Sequence, residues 1–194
     1  MTRLIDLIVA ALLVCGLATG TALAKTRNIE NAEMKYSVDV PSECRVEEGP
    51  GTLEAVCSPD FDEAKSAEIP AAAALLLEVD AELVPSDAKA EYGEADFRLE
   101  VPEAVCGEAD VGKFKIANLK VAKDGGAITY SATVTCAEIK FLGLAERSAE
   151  VRYVMTPRYR YRLMARGLAA DSDKAKAAVD AFLGSFKSTV EKKS

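Results

Sequence analysis

Between residues 127 and 136 the chain alternates without a break. Ile128, Tyr130, Ala132, Val134 and Cys136 take every second position, with Thr129, Ser131, Thr133 and Thr135 between them. Side chains of an extended chain point to opposite faces in turn, so this pattern dictates a strand with one buried and one polar face. Such a strand is unstable alone and needs neighbours that bury the same face. The flanking sequence supplies them. Phe114 and Ile116, then Leu119 and Val121, precede an Asp124-Gly125-Gly126 turn, and their alternation slips at Ala117-Asn118, as a β-bulge requires. Further strands over Ala149–Met155 and Tyr159–Ala165 flank a Thr156-Pro157 turn. Consecutive strands joined by short turns give an antiparallel meander.

The first half is more broken. A polar lead-in, Lys25 to Met34, precedes a strand in which Tyr36, Val38 and Val40 alternate with Ser37 and Asp39, stopped at Pro41-Ser42. A short strand over Leu53–Val56 follows the Gly49-Pro50-Gly51 turn, and Asp60 to Pro70 reads as an acidic loop. Leu75, Leu77, Val79, Ala81 and Leu83 then mark a long strand that ends at Pro85, after which Ser86 or Asp87 caps a helical stretch. From Ala88 to Cys106 the reading is helix in pieces, broken at Pro102. Ala175, Ala178, Val179, Phe182, Leu183, Phe186 and Val190 form one apolar stripe at helical spacing, with Asp171 to Asp173 at its start. That stripe must cover the apolar face of the meander. The expectation is an α+β sandwich with its helices on one face of an antiparallel sheet.

Compartment follows from the N-terminus and the cysteines. Arg3, an apolar run from Leu7 to Leu17 and the closing Ala22-Leu23-Ala24 have the three parts of a cleavable signal peptide, expected to span residues 1–24 and leave one domain over 25–194. Thr19, Gly20 and Thr21 interrupt the run before the roughly 20 apolar residues of a membrane span, and Val14 precedes Cys15 where a lipoprotein signal wants a small residue. The mature protein is therefore expected in the periplasm, or alternatively secreted, with no membrane association. Cys44, Cys57, Cys106 and Cys136 remain. An even count in an exported chain implies disulfides, with three connectivities open. Consecutive pairing, Cys44–Cys57 and Cys106–Cys136, is expected because each pair bridges neighbouring elements. A zinc site lacks both a C-x-x-C pair and any histidine.

The residues also resemble a known family. Tyr36-Ser37-Val38-Asp39-Val40-Pro41 is similar to the opening strand of PsbP-like domains. Tyr159-Arg160-Tyr161-Arg162-Leu163, with the helix ending Phe182-Leu183-Gly184-Ser185-Phe186, resembles their last strand and helix. The likeness spans most of residues 25–194 and rests on packing patterns. It implies a PsbP-like α+β sandwich and a non-catalytic accessory or binding role. It carries over no site residue, and the four cysteines are not a general feature of that fold.

The chemistry the chain can support is narrow. Without histidine, Ser-His-Asp and Cys-His nucleophiles are excluded, and no phosphate-binding glycine motif is present. A net charge of −7 disfavours nucleic acid. No cofactor is implied. Asp60, Asp62 and Glu63 could hold calcium or simply face water. Glu103, Glu108 and Asp110 around Cys106 would raise a thiol pKa, which fits a structural disulfide better than a reactive thiolate. The apolar Ala71–Leu77 segment suits the lead into a buried strand, or else a membrane or partner contact. Arg158, Arg160 and Arg162 share one face of a strand, with Arg147, Arg152 and Arg166 nearby. Arg152, Arg158, Arg160 and Arg162 are the candidate anion or partner patch; the competing reading pairs such arginines with Glu78, Asp80 and Glu82 on another strand. The functional expectation is an exported, non-catalytic binding or accessory protein for an unknown protein partner. The alternatives are a small-ligand or metal-binding periplasmic protein, and a carboxylate-dependent hydrolase.

Overall fold

A computed structural model describes residues 25–69, 74–85, 92–107, 114–136, 147–167 and 173–190. The expected signal peptide and the caps at Ser86, Asp87 and Asp171 lie outside these residues. The elements are β1 (Thr26–Asn31), β2 (Tyr36–Pro41), β3 (Arg45–Gly49), β4 (Thr52–Cys57), α1 (Glu63–Glu68), β5 (Leu75–Leu83), α2 (Glu94–Cys106), β6 (Phe114–Asp124), β7 (Ala127–Cys136), β8 (Arg147–Met155), β9 (Tyr159–Arg166), α3 (Asp173–Ser185) and β10 (Lys187–Ser188).

Seven strands form one antiparallel sheet in the order β3-β4-β5-β9-β8-β7-β6, so the expected meander occupies one half of it. Gly125 and Gly126, with φ of 55° and 87°, make the β6–β7 turn that an L side chain would strain. The register slips between Ala117 and Lys120, where Asn118 has φ 55°, so the expected bulge is present. A smaller sheet, β1-β2-β10, is not hydrogen-bonded to the large one. The lead-in is therefore not irregular: β1 pairs along β2 from Thr26↔Pro41 to Asn31↔Tyr36. Its side chains carry no period because only Ile29 reaches the core.

Two cores lie on opposite faces of the large sheet. On one, Leu53, Leu77, Val79, Tyr161 and Leu163 pack beneath Tyr36, Val38 and Val40 of β2 and beneath Ala175, Ala178, Val179 and Phe182 of α3. On the other, Tyr130, Ala132, Val134, Val151 and Tyr153 pack beneath Phe97, Val101 and Val105 of α2. The C-terminal helix covers the sheet, but not the apolar face of the meander strands β7 and β8 as expected: that face packs under α2, while α3 lies over β5 and β9 on the other side, so the two helices do not share a face. Alternation along β8 explains it: Val151, Tyr153 and Met155 point toward α2, while Val154 joins the α3 core. The sequence pattern fixed which residues are apolar on β8 but not that both its faces would be covered.

Three further expectations change. Pro102 does not divide α2, which runs continuously from Glu94 to Cys106. Asp96 accepts from Gly93 N–H at 2.7 Å at its start, and burial of Phe97, Val101 and Val105 outweighs the missing proline N–H. The acidic loop contains the helix α1, with Asp62 accepting from Lys65 N–H at 3.1 Å as its N-cap. The C-terminal stripe does not stay helical to Val190; α3 ends at Ser185 and β10 pairs with β2.

The cysteines form the consecutive pairs. Cys44 and Cys57 are joined with Cα atoms 4.3 Å apart, and Cys106 and Cys136 with Cα atoms 5.6 Å apart. The second bond ties the last residue of α2 to the end of β7. Among the described residues no helix is long and apolar enough to cross a membrane.

Candidate functional site on the two half-covered faces

Among the described residues, each face of the large sheet is covered over only about half its width, leaving an open half. On the α2 side, Val56 and Leu76 are buried with Ala74 and Ile69 beside α1, and the rest of β3, β4, β5 and β9 forms a charged open half. Strand pairing places Asp80 opposite Arg162 and Glu82 opposite Arg160. Arg160 reaches Glu82 at 3.4 Å and lies over the Tyr92 ring, 5.3 Å from its centroid. Arg162 bonds Asp80 and also reaches Glu100 of α2 at 3.2 Å. Arg166 makes a two-pronged pair with Glu78 at 2.8 and 3.0 Å. Burial works against the Arg162 charge, but Asp80, Tyr153 and Glu100 outweigh it and hold its pKa above the usual value.

The four candidate arginines are therefore not one patch. Arg160 and Arg162 are already paired with β5 acids. Arg158 lies exposed in the β8–β9 turn, without an ion pair among the described residues, and its carbonyl accepts from Val84 N–H at 2.9 Å. Arg152 points to the opposite face. It donates to the carbonyl of Leu183 in the last turn of α3, where the helix dipole favours a cation. Burial lowers its pKa. The signal that separates Arg152 from the others was present in the sequence: it alternates with Val151 and Tyr153, which face α2.

The open half on the α3 side is built from β6, β7 and β8 and is mostly neutral. Ser131, Thr133 and Thr135 of β7 project there with Ser148 and Glu150 of β8. The bulge at Asn118 turns its amide onto this surface, where it donates to Thr133 Oγ1 at 3.3 Å, and Thr133 donates to Glu150 at 2.9 Å. A groove of about 560 Å³ runs over these residues between β6 and α3, with Lys120, Lys176 and Asp180 at its margins. The sequence showed the hydroxyl row; only the position of α3 made it the wall of a groove.

The remaining candidates have structural duties. Asp60 binds Lys65 at 2.6 Å, which holds its carboxyl below the usual range, and Asp62 caps α1. Cys106 is disulfide-bonded; Glu108 and Asp110 lie outside the described residues. Ala74 to Leu77 are buried at the start of β5, and residues 71–73 lie outside the described set.

No protein-family profile and no curated protein sequence matches this chain. In structure it is similar to the solution structure of cyanobacterial PsbP (CyanoP) from Synechocystis, with a TM-score of 0.59 and 14% identity over 90% of this chain and 98% of that one. A Bacteroides thetaiotaomicron crystal structure aligns with a TM-score of 0.46 and 12% identity over 84% of this chain and 48% of its own, too distant to carry an argument. The fold is PsbP-like.

Proposed function

We propose that this chain is an exported, non-catalytic binding module that engages its partner through the open polar half-face of β6, β7 and β8. The observation that carries this reading is the groove of about 560 Å³ over Asn118, Ser131, Thr133 and Glu150, a surface left uncovered by the described residues. Hydroxyls and amides on a rigid sheet make directional contacts without a large desolvation cost, as the polar parts of protein interfaces do. The paired state of Arg160 and Arg162 argues against the arginine row as the main contact. Two disulfides favour an oxidising compartment and hence the periplasm. A small polar ligand is the second reading, supported by a groove volume within the range of small-molecule sites.

The test is the native size of the endogenous protein in a gentle periplasmic extract, with co-migrating proteins identified by mass spectrometry. A discrete larger complex that Thr133→Arg abolishes, while circular dichroism stays unchanged, supports partner binding through this face. A complex that survives Thr133→Arg removes the face from the proposal. A monomer in the extract favours the small-ligand reading.

A further inference from the structure

On the charged half-face, Glu54 has no counter-charge among the described residues. Glu47, Glu54 and Glu78 stand directly opposite one another across β3, β4 and β5. Like charges in that arrangement destabilise a sheet unless cations intervene. Arg45 lies 3.3 Å from Glu47, and Arg166 takes Glu78. Half-buried Glu54, between them, has no cation among the described residues. A cleft of about 620 Å³ opens over this row, with Met164 of β9 and Ala104 of α2 among its lining. Tyr153 also lines the cleft: it is only 2% exposed, lies near Arg162, Asp80 and Glu100, and its hydroxyl makes no hydrogen bond among the described residues.

We propose that this cleft binds a basic side chain of a peptide, with the ammonium or guanidinium group against Glu54 and a peptide carbonyl accepting from the Tyr153 hydroxyl. Glu54 and Tyr153 lie three strands apart, roughly 14 Å between backbones. Once both side chains extend inward, that span fits the stem of an arginine or lysine laid over Met164. No three described His, Cys, Asp or Glu groups are placed to hold a metal ion, so the row suits an organic cation. The site lies on the opposite face from the polar groove and does not depend on that groove's function.

The proposal is tested by NMR titration of the mature, disulfide-bonded protein with three probes: N-acetyl-arginine amide, its uncharged isostere N-acetyl-citrulline amide, and butylguanidine, which keeps the single positive charge and lacks the carbonyls. Arginine amide should shift the Tyr153 and Met164 signals and bind more tightly than either other probe. Glu54→Gln should weaken it by at least about tenfold, as loss of a charge-assisted hydrogen bond implies. Tyr153→Phe should weaken it severalfold while leaving butylguanidine unchanged. Glu30→Gln on β1 is the control for net charge and should have no effect. Glu54→Gln should also raise the melting temperature, which separates lost binding from lost folding. Equal binding of the citrulline probe, equal effects of Glu54→Gln and Glu30→Gln, or no binding at all overturns the site. Butylguanidine binding as tightly as arginine amide overturns the role of Tyr153.

Discussion

The two open half-faces of the sheet meet water in opposite ways. On the α2 side, long charged side chains reach across strands and neutralise one another, as Arg162 does with Asp80 and Glu100. On the α3 side, Ser131, Thr133 and Ser148 are short and carry no charge of their own, so they leave a groove rather than a lattice of ion pairs. A row of like side chains on one strand therefore says little about availability until the facing strand is known. The arginines of β9 looked like a patch because their partners on β5 are some eighty positions away in sequence.

The largest test removes the cover that defines one open half. Phe97 is fully buried, 5.3 Å from the Tyr130 ring and 5.1 Å from the Tyr153 ring. Phe97→Ala should cost about 3–5 kcal/mol in urea unfolding and expose the α2 side of β7 and β8 to dye binding. A cost below about 1 kcal/mol would mean that α2 does not anchor this face.

Alkaline pH tests the covered halves together. Burial pushes the Tyr161 hydroxyl up to about 12 and also raises Tyr36, Tyr92, Tyr130 and Tyr153. Tyrosine in the unfolded chain ionises near 10. Above that pH the unfolded chain releases protons that the folded chain retains, so stability is full below about pH 10 and falls as pH rises toward 12. Tyrosinate absorbance should appear together with loss of circular dichroism; ionisation of all five in a folded protein would contradict their burial.

Arg162→Ala leaves Asp80 and Glu100 facing each other without their cation. It should destabilise by about 1–3 kcal/mol, and high salt should shrink the loss because the pair is only partly buried. Thr133→Ala breaks the Asn118–Thr133–Glu150 chain on an exposed surface and should cost no more than about 1 kcal/mol. If the two substitutions cost the same, the distinction between a self-paired and an open half-face fails.

Much of the fold was legible because period two is a local property. The alternation of β2, β5, β7 and β9, the bulge beside Asn118 and the turn at Gly125-Gly126 all arise from residues close in sequence. The elements that were missed have no such period. β1 is held by backbone pairing with β2, β3 is short and polar, and β10 is two residues long. Pro102 was read as a break because the local cost was visible and the packing of Phe97, Val101 and Val105 was not. Of the candidate site, the hydroxyl row of β7 was readable, whereas Glu54 and Tyr153 gave no sequence signal.

By itself the sequence determined the strands of the meander, the apolar stripe of the last helix and the conditions for two disulfides, since each depends on spacing along the chain. Only the tertiary structure decided which half of each face is covered, that Arg152 caps α3 while Arg162 pairs across the sheet, and that Glu54 has no cation among the described residues. Those outcomes depend on strand order and register, which bring together residues that no local pattern connects.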